Sequence, residues 1–267
     1  MYKKHFGLID KPYNYLIPDP RYFYYSDTSK NIKGQCDYIV GEKNGHLFLS
    51  GEIGSGKTTL LKTVAQALYS DEKNIINFIN APNLKTSNSL MRRVSEGFKV
   101  KTWRSYSKTL ELFTDWLKKT DKFPILIVDE AQNLTRDSLK TLHYLMTYVS
   151  DKLLMMIILC GQSEMATKIE RFPAIRSRMF PASLSSLSRD DTEEMLKFRW
   201  SVATSGKTKN FPFTKKAIDE MFNFSKGNPR AICQLADIAL LAGFTRKQKK
   251  IDSKIVQIAI NNLTVKK

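Results

Sequence analysis

Gly51-Glu52-Ile53-Gly54-Ser55-Gly56-Lys57-Thr58 is the stretch of this 267-residue chain that decides its fold. It fits the pattern G-x-x-x-x-G-K-[ST], in which glycines allow successive backbone N–H groups to turn inward around phosphates. A short apolar run, 46–50, precedes the stretch, and a segment with apolar residues at helical spacing, 58–69, follows it. A strand, a glycine-rich loop and a helix in this order predict a phosphate-binding loop.

Individual residues of this loop have distinct expected roles. Lys57 is placed to reach the β and γ phosphates of a nucleotide, and Thr58 to hold a magnesium ion. The alternative, a chance glycine-rich turn, is disfavoured by the strand and the helix on either side. The expected nucleotide-binding residues are Gly51, Glu52, Ile53, Gly54, Ser55, Gly56, Lys57, Thr58 and Thr59.

A second apolar run, 125–128, ends in two adjacent acids, Asp129 and Glu130. Asp129 is placed to hold magnesium through water, and Glu130 to orient or deprotonate the water that attacks the γ phosphate. Two acids at the end of a strand can also simply begin a solvated loop. The sequence has no Asn-Lys-x-Asp motif for guanine, so the pattern favours an enzyme that hydrolyses ATP to ADP and phosphate.

Strand and helix patterns alternate through the first two thirds of the chain. Further strands are predicted at 74–80, 124–128 and 153–160, with helical patterns at 89–98, 108–119 and 137–148. This alternation predicts an α/β fold with a parallel sheet. Beyond residue 187 only helical patterns occur, and Ser188 is a candidate N-cap for the first of them. We therefore predict an α/β core over residues 1–187 and a small all-helical domain over residues 188–267.

Composition excludes several classes of protein. The longest apolar run, 153–160, has eight residues, whereas a membrane helix needs about 18 or more. An integral membrane protein is therefore excluded. Because the N-terminus also lacks the apolar stretch of a signal peptide, a cytoplasmic location is expected. Cys36, Cys160 and Cys233 are far apart in the sequence, so buried thiols are expected rather than a zinc site or disulfides.

Net charge is the main indication of a partner. The chain has 43 basic and 26 acidic residues, giving a formal charge of +17. Such an excess is typical of proteins that meet a polyanion, either nucleic acid or an anionic membrane surface. A lysine-rich coding bias is the alternative.

Several further segments share the pattern of one family. They are 5–8 with Pro12, 19–26, 128–134, 159–162 and 227–230. Together with the phosphate-binding loop, they resemble the ExeA-type branch of the AAA+ ATPases. That branch includes the ATPase part of a secretion-assembly protein and is similar to the transposition regulators of the TnsC, TniB and MuB kind. The resemblance implies an AAA+ P-loop core whose parallel sheet is sandwiched by helices, a small C-terminal all-helical lid domain, and assembly into a ring or helical filament.

The resemblance also implies roles for five residues outside the loop. Gln162 occupies the sensor-1 position, where a polar side chain contacts the γ phosphate or the attacking water. Asn80 matches a residue that holds the catalytic glutamate inactive, although it can equally cap its strand. Arg178 resembles the arginine finger that reaches the nucleotide of a neighbouring subunit, with Arg176 as the competing candidate and a plain salt bridge as the alternative. Arg230 matches sensor 2, which touches the γ phosphate in cis.

A basic segment between residues 84 and 109 is the candidate DNA-binding region. Trp103 and Tyr106 are interleaved with its cations, and Glu96 is its one acid before Glu111. In the resembling regulators the elements after the second strand contact the DNA backbone, whereas a solvated helix face is the alternative. The candidate DNA-binding residues are Lys85, Arg92, Arg93, Lys99, Lys101 and Arg104.

These observations lead to one principal hypothesis and two alternatives. The principal one is an ATP-dependent, DNA-binding AAA+ regulator of transposition that uses ATP and Mg²⁺, oligomerises on duplex DNA and recruits or activates a transposase. The first alternative is the cytoplasmic ExeA-type ATPase of a secretion or pilus-assembly system, in which a membrane helix normally follows. The second, a replication-initiation or helicase-loading ATPase, would usually add a winged-helix domain. The net charge and the end of the sequence straight after the lid favour the first hypothesis.

Overall fold

The computed structural model describes residues 2–81, 84, 86–147, 153–206 and 210–264. Its central feature is a parallel sheet of five strands with the order β2-β3-β4-β1-β5. The strands are β1 His46–Gly51, β2 Asn74–Asn80, β3 Phe123–Asp129, β4 Met156–Gly161 and β5 Met179–Leu184. β3 and β4 are buried along their whole length, as expected of apolar strands covered on both faces.

Helices occupy the connections between strands and form most of the described C-terminal part. They are α1 Tyr2–Phe6, α2 Asp27–Glu42, α3 Lys57–Tyr69, α4 Ser87–Gly97, α5 Tyr106–Lys119, α6 Arg136–Thr147, α7 Ser163–Glu170, α8 Pro173–Arg176, α9 Arg189–Thr204, α10 Lys215–Ser225, α11 Pro229–Thr245 and α12 Ser253–Thr264. Within the described residues, none of these helices has the length and apolar character needed to cross a membrane.

The chain forms two compact units. The sheet unit comprises residues 28–53 and 61–184, and the helical unit comprises residues 1–27, 54–60 and 185–267 wherever these are described. The core of the sheet unit places Leu126 and Val128 of β3 with apolar residues of α4, α5 and α6. The core of the helical unit includes Tyr13 and Tyr22, so these N-terminal aromatic rings pack among the C-terminal helices.

The predicted alternation of strands and helices is confirmed, with several differences, among them the helices α7 and α8, which were not predicted. The strand expected to begin at residue 153 begins at Met156. β5 was not predicted, because it is a six-residue edge strand that contains Pro181 and exposes half of its residues. α2 was not predicted either, since Gly34 and Gly41 weaken its helical pattern. Cys36, Cys160 and Cys233 are buried, as expected.

Candidate nucleotide site

The carboxyl edge of the parallel sheet brings together the strand ends to which the sequence assigned roles. β1 ends at Gly51, β2 at Asn80, β3 at Asp129 and β4 at Gly161. Asn80 and Asp129 are partners in the β2–β3 register, so these two ends are adjacent. Ligands of open α/β sheets bind at this edge because the loops that leave the strands lie there.

The glycine-rich loop leaves β1 at this edge. Gly54 and Gly56 adopt φ angles of +84° and +99°, which residues with a side chain rarely adopt. Lys57, the first residue of α3, is only 8% exposed, and the buried hydroxyl of Ser55 has no hydrogen-bond partner among the described residues. A buried cation and an unused hydroxyl at a helix N-terminus are complementary to a phosphate anion.

The start of α11 contacts the glycine-rich loop within the helical unit. Asn228 caps α11 by accepting the Arg230 and Ala231 N–H groups with its Oδ1, at 3.1 and 3.2 Å. The Arg230 N–H also approaches the Gly54 carbonyl at 3.2 Å. A Cβ on Gly54 would lie 2.6 Å from Asn228 Oδ1, so only glycine permits this approach. The backbone of Arg230 is therefore anchored on the glycine-rich loop, and its side chain is exposed.

The acidic end of β3 has an unusual backbone. Asp129 is 2% exposed, and its Oδ1 accepts the Glu130 N–H at 2.9 Å. Glu130 adopts the left-handed conformation, with φ +55° and ψ +37°, which is uncommon for a residue with a side chain. Its carboxylate accepts a hydrogen bond from the amide of Gln132. The sequence pattern did not identify Gln132 as a functional residue.

Gln162 and the two candidate arginine fingers belong to the same unit as Glu130. Gln162 is the N-cap residue of α7, is half-buried, and directly follows β4. The Arg178 guanidinium donates to the Ala174 carbonyl at 2.8 Å and to Ser177 Oγ at 3.4 Å. Arg176 is exposed and makes no side-chain hydrogen bond within the described residues. Neither arginine forms an ion pair in the described part of the chain, so a plain salt bridge does not account for either.

The predicted DNA-binding residues lie on one exposed segment. Arg92 and Arg93 are exposed on α4, and Lys99, Lys101 and Arg104 are exposed in the connection to α5. Lys108 is also exposed but pairs with Glu111 at 2.8 Å. Trp103 is 50% exposed, and the Lys101 ammonium lies 5.4 Å from the centre of its ring. Lys85 lies outside the described residues.

Comparisons with known proteins agree with this architecture. Residues 40–169 match the family model described as an AAA domain. General secretion pathway protein A of Aeromonas hydrophila is 31% identical over 265 residues, which cover 94% of this chain and 46% of that protein. This chain therefore spans about half the length of that curated relative.

Two solved structures show the same fold at low identity. Cdc6p from Pyrobaculum aerophilum superposes with a TM-score of 0.74 at 14% identity, covering 97% of this chain and 72% of that one. The Aeropyrum pernix ORC1 protein in complex with DNA superposes with a TM-score of 0.67 at 15% identity, covering 97% and 69%. The predicted fold is thus confirmed as the P-loop AAA+ fold, and residues 40–169 match an AAA domain. The similarity to general secretion pathway protein A and to these AAA+ structures indicates the predicted class of enzyme, an ATPase.

Proposed function

We propose that this chain is the ATPase module of a cytoplasmic AAA+ regulator of DNA transposition. It assembles on duplex DNA as a ring or helical filament and recruits or activates a transposase. The observation that carries the proposal is the exposed basic segment of α4 and the α4–α5 connection. In the ORC1 protein of the same fold, the solved complex contains DNA. The two functional domains would be residues 1–187 and residues 188–267.

Each candidate site residue has a defined task in hydrolysis. The loop from Gly51 to Thr59 binds the phosphates, with Lys57 directed to the β and γ groups. The oxygen of a water molecule bonds to the γ phosphorus, the bond to ADP breaks, and the carboxylate of Glu130 accepts the water's proton. Gln162 and Arg230 contact the γ phosphate, and Arg178 of a neighbouring subunit stabilises the transition state in trans.

Magnesium fits the donors that the sequence supplies. The Thr58 hydroxyl and the Asp129 carboxylate are hard oxygen donors of the kind that Mg²⁺ prefers. The buried Ser55 hydroxyl, three residues before Thr58 and without a hydrogen-bond partner among the described residues, supports a phosphate-bearing ligand at the loop. When bound, Mg²⁺ neutralises negative charge on the phosphate oxygens. We propose Thr58 and Asp129 as the residues that hold it.

The basic segment has the properties of a surface for the phosphate backbone. Its backbone is fixed, because Thr109 Oγ1 accepts the Trp103 N–H at 2.9 Å and Asn88 Nδ2 donates to the Arg104 carbonyl at 3.2 Å. Exposed cations on fixed backbone suit contacts to phosphates, which give affinity without reading sequence. The half-exposed ring of Trp103 adds a flat apolar surface beside the Lys101 charge.

Binding to duplex DNA tests this proposal. In the presence of a non-hydrolysable ATP analogue, affinity should be independent of sequence and should fall with salt, with a log–log slope of about −0.9 per phosphate neutralised. Replacing Lys99, Lys101 and Arg104 together by glutamine should weaken binding to all duplexes and flatten the slope, while ATP hydrolysis without DNA persists. A control that replaces Lys249, Lys250 and Lys254, which are exposed in the helical unit, removes the same charge and should retain the slope.

A secretion or pilus-assembly ATPase is the second candidate. The specific observation in its favour is the 31% identity to general secretion pathway protein A. Such an ATPase has no need of a DNA-binding surface. If the unmodified protein with the ATP analogue fails to bind duplex DNA at low salt, the transposition proposal falls and this second candidate takes its place.

A further inference from the structure

We infer that Gln132 is the positioning residue for Glu130: its amide holds the Glu130 carboxylate by one oxygen and ties it to the end of β4. The inference rests on the proposed role of Glu130 as the base, and it extends that role to a residue that neither the motif pattern nor the resemblance assigns.

The contact begins with the backbone turn after β3. Glu130 is in the left-handed conformation, and residues Ala131–Asn133 then form one turn of 3-10 helix. Within this turn the side chain of residue 132 reaches back to residue 130. The Gln132 Nε2 donates a hydrogen bond to Glu130 Oε2. No other hydrogen bond to the Glu130 carboxylate occurs within the described residues, so its Oε1 stays available for water.

The other end of the Gln132 amide is fixed as well. Its Oε1 accepts the backbone N–H of Gln162 at 3.3 Å. This approach needs a glycine at the end of β4, because a Cβ on Gly161 would lie 3.0 Å from Gln132 Oε1 and 2.7 Å from the Met165 Cβ. Gln132 therefore links the carboxylate of Glu130, the residue after β3, to the backbone of Gln162, the residue after β4.

A lysine of α7 holds the backbone of the same turn. Lys168 Nζ donates to the Gln132 carbonyl, and also to the Leu134 carbonyl at 3.2 Å. The middle of the turn and the residue after it are thus attached to α7, which follows Gln162 directly. Movement at the end of β4 would be transmitted through Gln132 to the Glu130 carboxylate.

An amide is the side chain that suits this position. It donates to a charged carboxylate with its nitrogen while it accepts a backbone N–H with its oxygen, whereas a carboxylate at position 132 would repel Glu130. Asn80, to which the resemblance gives control of the glutamate, is exposed at the end of β2. Its side chain makes no hydrogen bond to Glu130 within the described residues.

The test compares Gln132→Met with Asn133→Met. Methionine keeps the approximate size of glutamine but removes both hydrogen bonds, and Asn133 is an exposed neighbour in the same turn. We expect Gln132→Met to lower the kcat of ATP hydrolysis about tenfold or more, because the base is no longer oriented. The KM for ATP, the affinity for an ATP analogue and the melting temperature should stay near those of the parent protein. Asn133→Met should match the parent protein in kcat, KM, affinity for the ATP analogue and melting temperature.

Combination with Glu130→Gln separates positioning from general damage. If Gln132 acts through Glu130, adding Gln132→Met to Glu130→Gln should cause no further loss in single-turnover hydrolysis. Full kcat in Gln132→Met, a raised kcat, or an additive loss in the double variant would overturn the inference. These results are distinct from failure of the proposed base, which would appear as normal turnover in Glu130→Gln alone and would overturn both assignments.

Discussion

Lys57 and Glu130 have separable tasks at the scale of single residues. Lys57→Ala should abolish nucleotide binding, because it removes the cation that meets the phosphates. Glu130→Gln should keep nucleotide affinity and lower kcat by about 10²-fold or more, since an amide does not accept the proton of the attacking water. Titration with a fluorescent ATP analogue and a phosphate-release assay measure the two effects. Glu164→Gln, at an exposed site on α7, is the matched control. Undiminished turnover in Glu130→Gln would remove Glu130 from the mechanism.

The sequence predicts candidate site residues from motifs, but it does not predict the side chains that hold Glu130 and the turn after it in the structure. Lys57, Asp129 and Glu130 follow from residue type and spacing alone. Gln132 and Lys168 do not, because their contacts depend on the left-handed backbone at Glu130 and on the packing of α7 beside the turn. A left-handed backbone conformation at a glutamate has no recognisable pattern in the amino-acid sequence.

His46 gives the protein an expected dependence of stability on pH. It begins β1, is 1% exposed, and accepts the Ile157 N–H with its Nδ1 at 3.1 Å. Burial lowers the pKa of its imidazole to about 4 from the usual 6.5. Between these values the unfolded chain binds a proton that the folded chain does not. The free energy of unfolding should therefore decrease as the pH falls from 6.5 to 4, by up to about 3 kcal/mol.

Urea denaturation at a series of pH values tests this expectation. His46→Asn keeps an oxygen that can accept the Ile157 N–H, but asparagine does not titrate. The free energy of unfolding of this variant should therefore decrease less between pH 6.5 and pH 4 than that of the parent protein. His5→Asn leaves His46 intact and should show the same decrease as the parent protein. An equal decrease in His46→Asn and in the parent protein would show that other groups cause the acid sensitivity.

At the scale of elements, the strands with a clear local pattern of apolar residues were predicted and the strand without one was not. β3 and β4 were predicted because both faces are covered, so each has a run of apolar residues before its last residue. β5 was missed because an edge strand with a proline and exposed positions resembles a loop in sequence. Its place beside β1 is set by tertiary pairing from His46↔Met179 to Gly51↔Leu184, which a local pattern does not contain.

The predicted N-cap at Ser188 is confirmed and supports a prediction about α9. Ser188 Oγ accepts the Asp191 N–H at 3.0 Å, and Asp191 completes a capping box. Ser188→Ala should lower the free energy of unfolding by about 1 kcal/mol, because backbone N–H groups of the first turn lose their acceptor. Ser201→Ala, at an exposed position inside α9, should have little effect. Equal stability of the two variants in urea denaturation would show that the cap contributes nothing measurable.

At the scale of the whole molecule, the proposed arginine finger makes hydrolysis a property of the assembly. Arg178 and Arg176 are exposed, without an ion pair in the described part of the chain, so either is available to a neighbouring subunit. If Arg178 acts in trans, an Arg178→Ala subunit still binds nucleotide but fails to complete its neighbour's site. A Lys57→Ala subunit lacks its own nucleotide but still donates Arg178. Mixed interfaces should therefore contain complete sites that neither variant forms alone.

Mixing the two inactive proteins measures this directly. ATP turnover should reappear when Arg178→Ala and Lys57→Ala are combined, and it should be greatest near equal amounts, where mixed interfaces are most frequent. Each variant alone at the same total concentration gives the baseline, and the Arg176→Ala protein mixed with Lys57→Ala identifies which arginine is the finger. If Arg176→Ala, and not Arg178→Ala, is inactive alone and regains ATP turnover when mixed with Lys57→Ala, Arg176 is the finger. If light scattering shows that the variants assemble together and no mixture regains turnover, hydrolysis does not depend on an arginine supplied in trans.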